Sequence, residues 1–163
     1  MNLKSALPIL AIGTLAACSG DATADADIAK LLQTGKVEEV VKIVESRLQT
    51  VEKGSLAEKA LVLDYAEALS ITDADQAQER FIAFAEANAD LVTPKDFKLV
   101  VHCLRTHGGY VPAIDVMHAG KTRWPDDADM VELVKILEGD VEASKDPAAQ
   151  NKMRGLGYLG GKK

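Results

Sequence analysis

Cysteine is almost missing from this chain: there are two in 163 residues, beside three histidines. That excludes a disulfide framework and a four-ligand structural zinc site. Aromatic residues are scarce, at 4%, which argues against a β-sandwich or barrel, whose strands draw on aromatic and β-branched side chains. A basic excess is missing too. With 19 Lys and Arg against 25 Asp and Glu, a net charge of -6, the chain lacks the electrostatic footprint of a nucleic-acid binder. No G-x-S-x-G, phosphate-binding loop or H-E-x-x-H occurs, and the carboxylates are scattered as on solvated helix faces. The expectation is a protein that is not an enzyme and holds no cofactor. What remains is a composition 47% hydrophobic and 27% charged, enough for one domain with a sizeable core.

The N-terminus carries Lys4, then an apolar run over Ala6 to Ile12 broken only by Pro8, then Leu15-Ala16-Ala17-Cys18. The run is too short to span a bilayer, which takes about 20 apolar residues. A basic, apolar start closing in small residues reads as a secretory leader. Its ending, Leu-Ala-Ala-Cys, resembles the lipobox of bacterial lipoproteins. The resemblance implies that residues 1–17 are a cleaved signal peptide and that the Cys18 sulfur carries a diacylglyceryl group. Ser19, in place of the Asp that retains lipoproteins in the inner membrane, implies an outer-membrane anchor with the globular part facing the periplasm. Inner-membrane anchoring and cell-surface display are the alternatives. Residues 18–27, small and acidic from Gly20 to Asp27, are expected to form a flexible tether.

From residue 28 to 143 almost every segment has helical spacing. Val37, Val40, Val41, Val44 and Leu48 make one apolar stripe, and Phe97, Val100, Val101 and Leu104 another. Thr93-Pro94 marks a helix start and His107-Gly108-Gly109 a stop. Asp127 or Asp129 caps the last of seven expected helices. No stretch alternates with period two, so the class is all-α. The Gly-rich tail, 144–163, has three open readings: it folds back over the last helix, it orders on a partner, or it frays.

The helices also repeat. Gly35, Val37, Val40 and Val44 match Gly108, Tyr110, Ala113 and Met117 at identical spacings, and Ala77 and Phe81 match Ala113 and Met117. The unit from Pro94 to Asp127, with its Gly-x-Tyr turn, small Ala and closing Pro125, resembles a tetratricopeptide repeat. Gly120 departs from that pattern, which has a small Ala there. The resemblance implies a stack of about three α-hairpins with a C-terminal capping helix from Asp129, built to bind protein.

Two clusters could carry chemistry. His102-Cys103, His107 and His118 have no compact metal-ligand spacing, so no metal site is expected. Cys103, left without a partner if Cys18 is lipidated, flanks an apolar stripe and reads as a packed thiol. The second cluster is Lys95, Lys98, His102 and Arg105, spaced 3, 4 and 3 apart on one side of one helix. In the resembled family that helix lines the concave groove. The four therefore become candidate contacts for an acidic peptide or a protein partner in the cell envelope. The expected function is a lipid-anchored interaction scaffold. Alternatives are a structural subunit using its convex face, and a thiol- or metal-dependent enzyme centred on Cys103 and His102.

Overall fold

The computed structural model describes residues 22–160, which form eight α-helices and no strand. The expected leader and Cys18 lie outside the described residues. The helices are α1 (Ala22–Gln33), α2 (Val37–Leu48), α3 (Leu56–Thr72), α4 (Ala74–Ala87), α5 (Pro94–Thr106), α6 (Tyr110–Arg123), α7 (Ala128–Ser144) and α8 (Pro147–Gly155). Among the described residues no helix is long and apolar enough to cross a membrane.

Short polar residues set the helix starts, by accepting from backbone N–H groups that no helical carbonyl can reach. The Ser55 hydroxyl accepts from Glu58 N–H, and the Asp73 carboxylate from Gln76 N–H. Asp127 accepts from Asp129 and Met130, so Asp127 is the cap of α7. Thr93 donates its own N–H to the Asp96 carboxylate at 2.8 Å, with Pro94 at the first helical position. The stops repeat as well. Gly35 and Gly108 have φ of 73° and 82°, a conformation in which a Cβ is strained. Behind them Lys36 N–H reaches Leu31 O and Gly109 N–H reaches Leu104 O, each at 2.9 Å. Both α1 and α5 therefore end in the same αL turn.

Two expected segments differ. The 18–27 tether is already helix from Ala22. The 144–163 tail contains α8: Asp146 accepts from Ala148 and Ala149 N–H, and Pro147 follows at the first position. The glycines that argued against helix, from 155 onward, sit at or beyond its end. Leu159 is then buried, and the Tyr158 hydroxyl lies 3.0 Å from His118 Nδ1.

Each helix packs on its chain neighbour, while α3, α5 and α7 pack side by side, as do α4, α6 and α8. The core repeats with this packing. Val40, Ala77, Ala113 and Ala149 are fully buried at spacings of 37, 36 and 36 residues. Four residues beyond each, Val44, Phe81, Met117 and Met153 are equally buried. On the intervening helices Ile28, Tyr65, Val101 and Leu137 recur at the same spacings, all buried.

Candidate functional site

The side-by-side packing of the odd-numbered helices leaves a cleft of about 590 Å³ against α1. Its walls come from three helices: Ala29, Leu32 and Gln33 of α1, Ala60, Asp64, Glu67 and Ile71 of α3, and His102, Cys103, Thr106 and His107 of α5. Ile71 is 44% exposed, a large apolar side chain left open inside the cleft. Leu99, 43% exposed, precedes His102 and Cys103 by one helical turn and extends the apolar surface along α5. Walls that mix apolar Ala29, Leu32, Ala60 and Ile71 with polar Gln33, Asp64, Glu67, His102, Thr106 and His107 suit an amphipathic peptide segment or one helix.

The four basic residues of α5 do not form one open patch. Lys98 Nζ donates to Asp129 at 2.8 Å and to Glu132 at 2.6 Å, and Arg105 donates to Asp140. All three carboxylates belong to α7. Hydrogen bonds to Asp129 and Glu132 push the Lys98 ammonium well above the ordinary lysine range. Arg105 also meets His102 Nδ1 at 3.3 Å. Lys95 and His102 are the exposed members of the stripe, and only His102 lines the cleft. Comparable pairs join other neighbours: Lys59 of α3 with Asp96 of α5 at 3.3 Å, and Lys152 of α8 with Asp115 of α6 at 2.5 Å. The basic stripe thus acts largely as a latch between α5 and α7. Reversing Lys98 and Arg105 would disturb that packing as well as any ligand. Sequence spacing gives the face on which these residues lie but not the helix they meet, whose carboxylates follow 31 to 35 residues later.

Cys103 is half-buried. Burial, reinforced by the Glu67 carboxylate across the cleft, pushes its thiol up to about 11. A thiol so raised stays protonated at neutral pH, and the thiolate is the nucleophile. Its neighbourhood therefore opposes the activation that a catalytic cysteine needs. Raised from 9.0, the thiol holds about 100-fold less thiolate near pH 8 than when unfolded. The more basic thiolate is roughly tenfold more nucleophilic, so iodoacetamide should modify Cys103 about tenfold slower in the folded protein. The rate should rise about tenfold per pH unit up to pH 11. Equal rates folded and in denaturant would contradict this environment. Among the described residues, no three His, Cys, Asp or Glu side chains gather to hold a metal ion.

A second cavity, of about 540 Å³, lies between α2, α3 and α4. Its polar groups serve the fold. The Tyr65 hydroxyl donates to Glu45 at 2.7 Å, and burial and that carboxylate raise it to about 12. Burial alone would raise the Glu58 carboxyl. Hydrogen bonds from Gly54 N–H at 2.7 Å and Lys53 at 3.0 Å outweigh it and hold the group below the ordinary range.

No family model, curated protein or solved structure matches the chain.

Proposed function

We propose that the protein is a lipid-anchored, periplasm-facing adaptor of the outer membrane, a tetratricopeptide-like array that holds a segment of an envelope partner in the α1–α3–α5 cleft. The observation that carries this reading is the recurrence of the core. A buried pair on every second helix at 36 to 37 residues, with matching buried residues on the helices between, is what tandem α-hairpins require. On this reading the units are α1–α2, α3–α4, α5–α6 and α7–α8, so the array has four hairpins, and α8 supplies the second half of the last. Gly35 and Gly108, with their identical turns, support the equivalence of the first and third. The first helices of three successive units wall the cleft, the side on which such arrays take their ligands.

Partner chemistry follows from the walls. Lys98 and Arg105 are already engaged by α7, so an acidic peptide would have to displace three carboxylates. Asp64 and Glu67 on one wall, with His102 and His107 on another and Ile71 between, favour an amphipathic segment of low net charge.

The anchor rests on Cys18 following Leu15-Ala16-Ala17. Wild-type protein should pellet with outer membranes and copurify with one envelope protein. Cys18→Ser removes the only sulfur that can be acylated there, so the variant should lose lipid labelling and leave the membrane fraction. A Cys18→Ser protein that remains labelled and membrane-bound would overturn the anchor.

A further inference from the structure

We propose that the outer edge of the α1–α2 hairpin lies flat against the anionic phospholipid surface, which fixes the orientation of the whole array; this rests on the Cys18 anchor. The first argument is reach. Nine residues separate Cys18 from Ile28, the first core residue, and six of them belong to α1. The four steps from Cys18 to Ala22 can span at most about 14 Å, and the six helical ones to Ile28 about 9 Å. With the cysteine side chain added, Ile28 is therefore held within about 26 Å of the lipidated sulfur, less than the roughly 30 Å thickness of the bilayer's hydrocarbon core. An array so tied has no room to tumble freely above the membrane.

The second argument is the surface at that end. α1 packs on α2, and no unit precedes it among the described residues. The open side is a shallow depression lined by Asp27, Lys30, Leu31 and Thr34 of α1, Lys36 at the turn and Ile43 of α2. Leu31 and Ile43 are only partly buried; Lys30 borders them, and so does Lys36, whose ammonium is paired with Glu39 at 3.1 Å. Lysine stems cover apolar surface while their heads reach phosphate, the arrangement that interfacial contacts use.

Charge distribution is the third argument. From Ala22 to Leu48 the α1–α2 hairpin carries four Lys or Arg and five Asp or Glu, and Asp21 precedes it, so this end is only mildly acidic, at a net -2 from Cys18 onward. Residues 49–146 carry ten against nineteen, and that acidic body is repelled from anionic headgroups. Residues 147–163 carry four basic and no acidic residues. The C-terminal end is thus the electrostatic competitor, and the short tether decides between the two ends.

The test uses the full lipidated protein in vesicles of phosphatidylethanolamine and phosphatidylglycerol, with Cys103→Ser as background. Thr34→Cys and Arg154→Cys each supply one exposed thiol for an environment-sensitive fluorophore. The Cys18 sulfur, a thioether once lipidated, does not react. With a quencher attached to lipid headgroups, the Thr34→Cys label should lose most of its emission and the Arg154→Cys label should keep it. Protein that floats with the vesicles while the Thr34→Cys label keeps its emission, or while only the Arg154→Cys label is quenched, overturns the orientation and leaves the anchor standing. Protein that does not float overturns both.

Discussion

Phe81→Ala should lower the thermal midpoint by about 7–26 °C, the largest effect expected from one core substitution in this chain. Phe81 is fully buried on α4. Its ring meets Phe97 of α5 edge to face at 4.8 Å, and Phe97 meets Trp124, after α6, at 5.4 Å. Of the three Phe and one Trp in the sequence, three form this single file, which joins α4 to α5 and to the end of α6. Truncating a buried Phe costs about 3–5 kcal/mol in transfer and cavity terms. Losing the edge-to-face pair adds about 0.5–1.5 kcal/mol. A domain of this size is stable by about 5–15 kcal/mol, so the variant should still fold at low temperature. Circular dichroism melting checks this, and a midpoint within 2–3 °C of wild type (about 1 kcal/mol at this chain length) would contradict the packing.

Gly120→Ala and Gly139→Ala should move stability in opposite directions. Both glycines lie inside helices, α6 and α7, where Ala is intrinsically better by about 1 kcal/mol. A Cβ on Gly139 meets nothing within 4 Å, so the propensity gain stands alone. A Cβ on Gly120 would sit 2.7 Å from Met130 Sδ and 2.9 Å from Phe97 Cδ1. Met130 is fully buried and Phe97 is 3% exposed, so neither can swing away freely, although the thioether is the softer of the two. Overpacking of this kind costs about 1–3 kcal/mol, which exceeds the propensity gain. Denaturant midpoints should rise for Gly139→Ala and fall for Gly120→Ala. A rise in both would mean that α6 and α7 are farther apart than described. The missing Ala at position 120, a departure from the resembled repeat, thus has a packing cause.

What could be read from the sequence was local. Thr93-Pro94, Asp127 and His107-Gly108 announce helix ends because the caps act within three or four residues. The apolar stripes give the all-α class for the same reason. α8 is not legible locally, because four glycines near the C-terminus outweigh Ala149 and Met153. Those two stand out only when the spacing of Val40, Ala77 and Ala113 is carried one unit further. The start of α1 is ambiguous in the sequence, because Asp and Ala over 21–27 read equally as tether and as helical first turn. The basic stripe shows the other limit. Four residues on one side of α5 are visible in the sequence, but Asp129, Glu132 and Asp140 reach two of them only through the packing of α5 on α7. The cleft is tertiary throughout: its walls come from residues more than 70 positions apart, and of them the sequence singles out only His102, Cys103 and His107.

The most direct measurement is photo-crosslinking in living cells from a photoreactive residue at Ile71, inside the cleft, and separately at Glu79, exposed on α4. A discrete envelope-protein adduct from Ile71 and none from Glu79 is the predicted result. An adduct from Glu79 with none from Ile71 would put the partner on the opposite layer and contradict the cleft adaptor. No adduct from either position would contradict it as well.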